Sequence, residues 1–84
     1  MVVIDFFATW CGPCMMIAPE IDRMDAQMPN VVYLKVDVDR TPDVSQYYRI
    51  SAMPTFIFIK NGQKVGEMTG ADVNRLRQYV SAYA

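Results

Sequence analysis

DFFATWCGPCMMIAP, the stretch from Asp5 to Pro19, decides how the rest of the chain is arranged. It predicts the end of a strand, a sharp turn and the first turns of a helix, with both cysteines, Cys11 and Cys14, at the join. A Cys-x-x-Cys pair close to a βαβ pattern is typical of a thiol–disulfide redox site. The alternative, a pair of buried apolar cysteines, is disfavoured by the Gly12-Pro13 spacer between them.

Length and composition favour a single small domain over residues 1–84. The hydrophobic fraction is 52%, and 8 basic and 9 acidic side chains leave a net charge of −1. This balance gives no electrostatic footprint for nucleic acid or an anionic membrane surface, so we expect neither as a partner. The chain has no histidine. That excludes Cys-His and Ser-His catalysis, and two cysteines alone cannot complete a structural zinc site, so no metal is expected.

Apolar periodicity on either side of the turn predicts a βαβ-α-ββα order. Met1–Phe7 is an apolar run typical of a central strand, and apolar residues spaced four and three apart predict a helix over 12–28. Further strands are predicted at Val31–Val38, Pro54–Lys60 and Gln63–Thr69, with helices from Pro42 to about Tyr48 and after Asp72. The helix stripe consists of Ile17, Ile21, Met24 and Met28. The order predicts a four-stranded mixed α/β sheet with helices on both faces.

Short polar signals mark where these elements begin and turn. Thr41 and Asp72 are predicted helix N-caps, and Asn61-Gly62 predicts a two-residue hairpin turn. Gly66 is a candidate bulge in the fourth strand. Ligands of open sheets of this kind bind at the carboxyl ends of strands. The two cysteines follow the carboxyl end of the first strand.

The position of the cysteines predicts different roles for them. A helix N-terminus stabilises a thiolate, so Cys11 is the expected exposed nucleophile and Cys14, one turn deeper, the shielded resolving thiol. Cys11 would attack a substrate disulfide, and Cys14 would then release the reduced substrate. With no histidine available, Asp5 is the best candidate to take the proton from Cys14, because burial would raise its pKa. Lys35, on the neighbouring strand, is expected to lie near Asp5 and tune it.

Three of these positions have plainer interpretations. Asp5 could mark a frayed strand end, and Lys35 could be a lysine that faces solvent. Pro54 could be an edge proline where a strand begins, or a cis proline beside the redox site. The residue pattern alone does not choose the cis form, since only about 5–6% of X–Pro bonds are cis.

Together these residues resemble the thioredoxin family. The match includes WCGPC at 10–14, Pro19, KVDVD at 35–39, MPTF at 53–56, KNGQKVGE at 60–67 and TGA at 69–71. It follows nearly the whole chain in order and implies the minimal thioredoxin fold. It also implies reduction of protein disulfides through a redox-active Cys11–Cys14 disulfide, with no bound cofactor and with a thioredoxin reductase as electron donor. A reducing cytoplasm is the expected compartment.

The resemblance also implies a role for individual residues. Cys11 matches the attacking and Cys14 the resolving cysteine, Asp5 the buried proton-transfer aspartate and Lys35 the lysine near it. Pro54 matches the cis proline of the substrate groove. The mostly apolar docking surface corresponds to Trp10, Gly12, Pro13, Met53, Gly70 and Ala71.

The chain departs from the family pattern at three places. Phe7 and Met15 stand where tryptophan and lysine are common, and residues 1–84 do not include the strand and helix that usually precede this first strand in the family. Without that strand, Val31–Val38 should be an uncovered edge, and we expect a tendency to self-associate through it. Two alternative functions are a disulfide oxidase or isomerase, which the Gly-Pro spacer disfavours, and a binding module or assembly subunit that keeps the fold.

Overall fold

Seven elements follow one another in the predicted βαβ-α-ββα order, each within one residue of its expected bounds. The computed structural model describes residues 1–84. The strands are β1 (Val2–Phe7), β2 (Val32–Asp37), β3 (Thr55–Lys60) and β4 (Gln63–Thr69), and the helices are α1 (Gly12–Gln27), α2 (Pro42–Tyr47) and α3 (Val73–Tyr83). None of the helices combines the length and the apolar character needed to cross a membrane.

The four strands form one mixed sheet in the order β2-β1-β3-β4. β1 runs parallel to β2 and antiparallel to β3, and β3 pairs antiparallel with β4. The parallel register places Asp5 opposite Lys35. Because β1 has a partner on each side and its middle four residues are buried, it is the central strand that its apolar sequence predicts.

The hydrophobic core lies mainly on the sheet face covered by α1 and α3. Ile17, Ile21 and Met24 of α1 and Leu76 and Val80 of α3 pack there against the sheet. Burial of each such side chain contributes about 1.5–3 kcal/mol. On the opposite face a smaller cluster of Ile4, Phe6 and Ile57 is covered by Tyr48 and Ile50, which follow α2. The predicted arrangement of helices on both faces is confirmed.

The edge strand β2 is incompletely covered on that second face. Val32 and Leu34 are 51% and 49% exposed, although both are large apolar side chains in a strand. No strand pairs with the outer side of β2. Within residues 1–84, β2 is therefore an edge strand without an outer partner, as expected for 31–38.

The predicted caps and turns have mixed outcomes. Asp72 accepts the backbone N–H of Arg75 at 3.1 Å, as an N-cap should. Thr41 occupies the predicted N-cap position of α2, but its side chain caps no helical N–H, because its hydroxyl donates to the backbone oxygen of Asp37 at 2.8 Å. The carbonyl at the end of β2 is the competing partner.

The β3–β4 hairpin has the predicted turn and bulge. Asn61 and Gly62 both have positive φ, 54° and 76°, as a two-residue hairpin turn requires. The register shifts between Lys64 and Gly66, so the extra residue of the bulge is Val65, next to the predicted Gly66. The ring of Tyr83 lies over Gly66, where a β-carbon would come within 2.8 Å of the tyrosine hydroxyl.

Candidate redox site

The two cysteines lie where β1 passes into α1. The chain turns after Ala8, whose carbonyl accepts the N–H of Cys11 at 3.1 Å. Cys11 is the N-cap of α1, Cys14 lies in its first turn, and the two form a disulfide with their α-carbons 5.3 Å apart. Proline is tolerated in a first helical turn because its missing N–H would have no partner in the helix. Pro13 therefore fits between the cysteines, and it and Gly12 are exposed.

The sulfur of Cys11 occupies the N-cap position in place of the usual oxygen. It accepts the backbone N–H of Cys14 at 3.2 Å. Unpaired N–H groups at a helix N-terminus favour negative charge, so a thiolate at this position is stabilised once the disulfide is reduced. This geometry distinguishes Cys11 from Cys14 electrostatically and supports its assignment as the nucleophile.

The expectation of an exposed Cys11 is wrong for the disulfide form. Cys11 is 6% exposed and Cys14 is 3% exposed, so both are buried. The reason is that both cysteines pack with Ala8 in a small cluster covered by Phe7, Val38 and Met53.

Asp5 is a buried carboxyl group on the α1 side of the sheet. It is 4% exposed, and its Oδ1 has no hydrogen-bond partner. Burial raises the pKa of Asp5 from its ordinary value of 3.8 to about 6, and the positive charge of Lys35 lowers it in part. A carboxyl group with this pKa can exchange protons near neutral pH. Asp5 is not a frayed strand end.

A cavity of about 170 Å³ brings the proton-exchanging groups together. It is lined by Asp5, Phe7, Cys14, Met15, Ala18 and Lys35. Cys14 therefore faces the same space as the Asp5 carboxyl group, and Cys11 does not line it. A larger hollow of about 360 Å³ lies along α3 and contains neither cysteine.

Lys35 lies beside Asp5, as the register between β1 and β2 requires. Its ammonium group does not bind Asp5, however: Nζ donates to Oδ1 of Asp22, on α1, at 3.3 Å. Lys35 is thus both the nearby cation that affects Asp5 and a half-exposed side chain engaged elsewhere.

The loop before β3 contributes the predicted cis proline. The Met53–Pro54 peptide bond is cis, and the Pro54 carbonyl accepts the N–H of Gly70 at 2.9 Å. Pro54 itself is buried, so its ring does not form the open surface that a groove-lining role suggests. Met53 is half-buried against the cysteine cluster, and Gly70 and the exposed Ala71 are held nearby through the bond to Pro54.

Exposed apolar side chains surround the cysteine turn. Trp10 is 68% exposed, Met15 44% and Met16 79%. The indole Nε1–H of Trp10 donates to Oδ2 of Asp39 at 2.9 Å, which fixes the ring beside the loop after β2. Exposed large apolar groups at a redox centre suit contact with another protein.

Sequence reasoning did not assign a role to Asp22 or Asp39. The signal for Asp39 was available, because it follows β2 and the carboxyl ends of the parallel strands β1 and β2 meet at one edge of the sheet. The pairing of Asp22 with Lys35 depends on how a long, flexible side chain is directed. No sequence pattern specifies that.

The chain matches the family model described as Thioredoxin over residues 1–82. It is 49% identical over 84 residues to a thioredoxin of Mus musculus, covering all of this chain and 80% of that protein. It is 53% identical over 81 residues to thioredoxin-2 of Pyricularia oryzae; the match covers 96% of this chain but spans about half, 47%, of that relative. The X-ray structure of Fasciola hepatica thioredoxin superposes with a TM-score of 0.98 at 42% identity, covering 99% of this chain and 80% of that one.

Proposed function

Because this chain belongs to the thioredoxin family, we propose that it reduces disulfides in other proteins by cycling Cys11 and Cys14 between dithiol and disulfide. One observation carries the assignment of roles: Cys11 sulfur lies at the helix N-terminus, while Cys14 shares a cavity with Asp5. The two sulfurs are thus equipped for different steps, one for attack and one for a proton-coupled release.

The cycle transfers two electrons to the substrate. The Cys11 thiolate attacks one sulfur of the substrate disulfide; that disulfide breaks, its other sulfur leaves as a thiolate and takes a proton, and a mixed disulfide forms. Cys14 then loses its proton and attacks the Cys11 sulfur. The mixed disulfide breaks, the substrate leaves as a dithiol, and the Cys11–Cys14 disulfide is restored.

Asp5 is the proposed acceptor of the Cys14 proton. A pKa of about 6 leaves Asp5 mostly ionised at neutral pH, yet basic enough to accept a proton in the release step. Lys35 tunes this group electrostatically from the neighbouring strand.

Protein disulfides are the proposed substrates, and they dock on the apolar surface around the turn. Trp10 and Met15 supply exposed apolar area beside the cysteines. Met53 packs against the cysteine cluster, and Gly70, with Ala71 after it, is held by its bond to Pro54. The proposed electron donor is a thioredoxin reductase, which returns the disulfide to the dithiol. We propose the cytoplasm as the compartment, because thiols are kept reduced there.

Reduction of insulin with dithiothreitol as the electron source tests the proposed function. The unchanged protein should accelerate insulin precipitation, and Cys11→Ser should abolish the acceleration. Cys14→Ser should retain attack but accumulate a mixed disulfide with the substrate, visible by mass spectrometry. Activity that survives Cys11→Ser would contradict the mechanism.

Two alternatives remain distinguishable by measurement. A disulfide oxidase or isomerase would have a reduction potential near −180 to −120 mV, whereas a reductase lies near −270 mV. A binding module or assembly subunit would bind its partner equally well after replacement of both cysteines. An equilibrium with glutathione and pull-down with the double cysteine variant separate the three.

Self-association through β2 is a further proposal. The strand has an unpaired edge and carries Val32 and Leu34 half-exposed beside it, so a second copy could extend the sheet and cover them. Sedimentation of the unchanged protein should give a concentration-dependent increase in mass that Leu34→Lys removes. Val65→Lys, at an exposed apolar position of the opposite edge strand, is the matched control. A strict monomer at millimolar concentration would refute self-association.

A further inference from the structure

The ammonium group of Lys35 binds the carboxylate of Asp22 and not that of the neighbouring Asp5. Lys35 and Asp5 are register partners on β2 and β1, and both line the cavity that contains Cys14. The ion pair of Lys35, however, is with Asp22, eight residues after Cys14 on α1, at 3.3 Å. Oδ1 of Asp5 is left without a hydrogen-bond partner.

This ion pair contributes little to the stability of the fold. The side chains of Lys35 and Asp22 are 47% and 71% exposed, and water screens the attraction within an exposed pair of this kind. The ion pair instead determines where the positive charge of Lys35 lies. An ammonium group held by Asp22 is directed to the protein surface, whereas a released one is free to approach the buried carboxylate beside it.

We propose that Asp22 is a positioning residue for the redox reaction, which holds the Lys35 ammonium at the mouth of the cavity and keeps it from closing onto Asp5. The inference rests on the proposed role of Asp5 as the acceptor of the Cys14 proton. An ammonium group bound directly to Asp5 would make that carboxylate a weaker base. It would also occupy the cavity across which the proton moves.

Few other charged groups face Asp5. On α1 the cavity presents Cys14, Met15 and Ala18, and on β3 the register partner of Asp5 is the uncharged Phe56. Asp37 lies two residues beyond Lys35 on the same face of β2, and its carboxylate accepts the N–H of Asp39 at 2.9 Å. Asp22 is therefore the carboxylate that competes with Asp5 for Lys35.

Replacing Asp22 should lower the pKa of Asp5 by two effects that act in the same direction. Asp22→Asn frees a positive charge to approach Asp5, and it also removes a negative charge from the surroundings of Asp5. Both changes favour the ionised carboxyl group. The expected decrease is about one pH unit, which is the lower end of what a nearby opposite charge produces.

Carbon-13 NMR titration of the Asp5 carboxyl group in the oxidised protein measures this decrease directly. Asp22→Asn should lower the midpoint, and Asp22→Glu should restore it. Asp25→Asn is the matched control, since it removes the same charge from α1 one turn further on and makes no ion pair in the structure. In a Lys35→Gln background, Asp22→Asn should have at most a small residual effect. The acid limb of the insulin-reduction rate should follow the NMR midpoint.

The proposal is wrong if Asp22→Asn leaves the Asp5 midpoint unchanged. It is also wrong if Asp25→Asn or the Lys35→Gln background gives the same decrease, since that would indicate a general charge effect without positioning. The NMR titration does not depend on turnover. If Asp5→Asn keeps the full reductase rate, the proton role of Asp5 fails while the link between Asp22, Lys35 and Asp5 is still measured.

Discussion

Replacing the buried carboxyl group by an amide, Asp5→Asn, should stabilise the fold, and the gain should depend on pH. The unfolded chain ionises Asp5 near 3.8, whereas the folded protein holds its proton until about pH 6. Between these values the folded state binds more protons than the unfolded state. The free energy of unfolding therefore falls as pH rises, and the stability present below pH 3.8 is fully lost once the pH passes about 6.

The size of this loss follows from the two pKa values of Asp5. The difference between 3.8 and about 6, at 1.36 kcal/mol per pH unit, is about 3 kcal/mol. Asn has nearly the same shape and does not ionise. The variant should thus match the unchanged protein near pH 3.5 and exceed it by about 3 kcal/mol at pH 7 and above. This is a large gain for a domain whose total stability is about 5–15 kcal/mol.

Urea unfolding of the oxidised proteins, followed by circular dichroism from pH 3.5 to 8, measures the difference at each pH. The disulfide removes the cysteines from the titration, and the other carboxyl groups cancel between the two proteins. Asp25→Asn makes the same substitution at an exposed position of α1 and is the matched control for the effect of burial. A flat curve for Asp5→Asn, or a gain that grows as pH falls, would refute the reasoning that burial dominates the environment of Asp5.

Three further substitutions test the packing and the surface around the site. Gly66→Ala should lower the free energy of unfolding by about 1 kcal/mol, because the new methyl group meets the Tyr83 hydroxyl. In a Tyr83→Ala background the same change should leave the urea midpoint unchanged. Asp72→Ala should cost about 1 kcal/mol by urea unfolding, through loss of the α3 N-cap, and an unchanged midpoint would contradict that role. Asp39→Ala should free the indole of Trp10, the sole tryptophan, and lower its fluorescence anisotropy. Asp39→Asn keeps an oxygen acceptor and should keep the anisotropy. Equal anisotropy in the two variants would count against the hydrogen bond to Asp39.

The pattern of apolar residues predicted the fold closely because each element has a strong local signal. β1 is a continuous apolar run, α1 has a regular buried stripe, and the Asn61-Gly62 turn sets the hairpin. Adjacent parallel strands then place Asp5 beside Lys35. The cis form of the Met53–Pro54 bond came from the family resemblance alone, because the local sequence is compatible with either isomer.

Two departures from the expectations have separate physical causes. Thr41 is the N-cap residue of α2 as predicted, but its hydroxyl donates to the carbonyl of Asp37, four residues earlier in the chain, and caps no helical N–H. Cys11 was expected at the surface because it begins a helix, yet the packing of Met53 and Val38 over the turn buries it. The burial of Cys11 depends on tertiary contacts, and a pattern within one segment contains no information about them.

Competition between Asp22 and Asp5 for Lys35 explains how the site keeps a carboxyl group that weakens the fold. A buried, unpartnered carboxylate costs about 3 kcal/mol at neutral pH, and direct pairing with Lys35 would recover part of that loss. The structure instead directs the ammonium to Asp22. Pairing would lower the pKa of Asp5 and with it the affinity of the carboxylate for the Cys14 proton. A destabilising carboxyl group beside Cys14 is therefore consistent with a site organised for proton transfer. The ion pair between Lys35 and Asp22 preserves the raised pKa of Asp5.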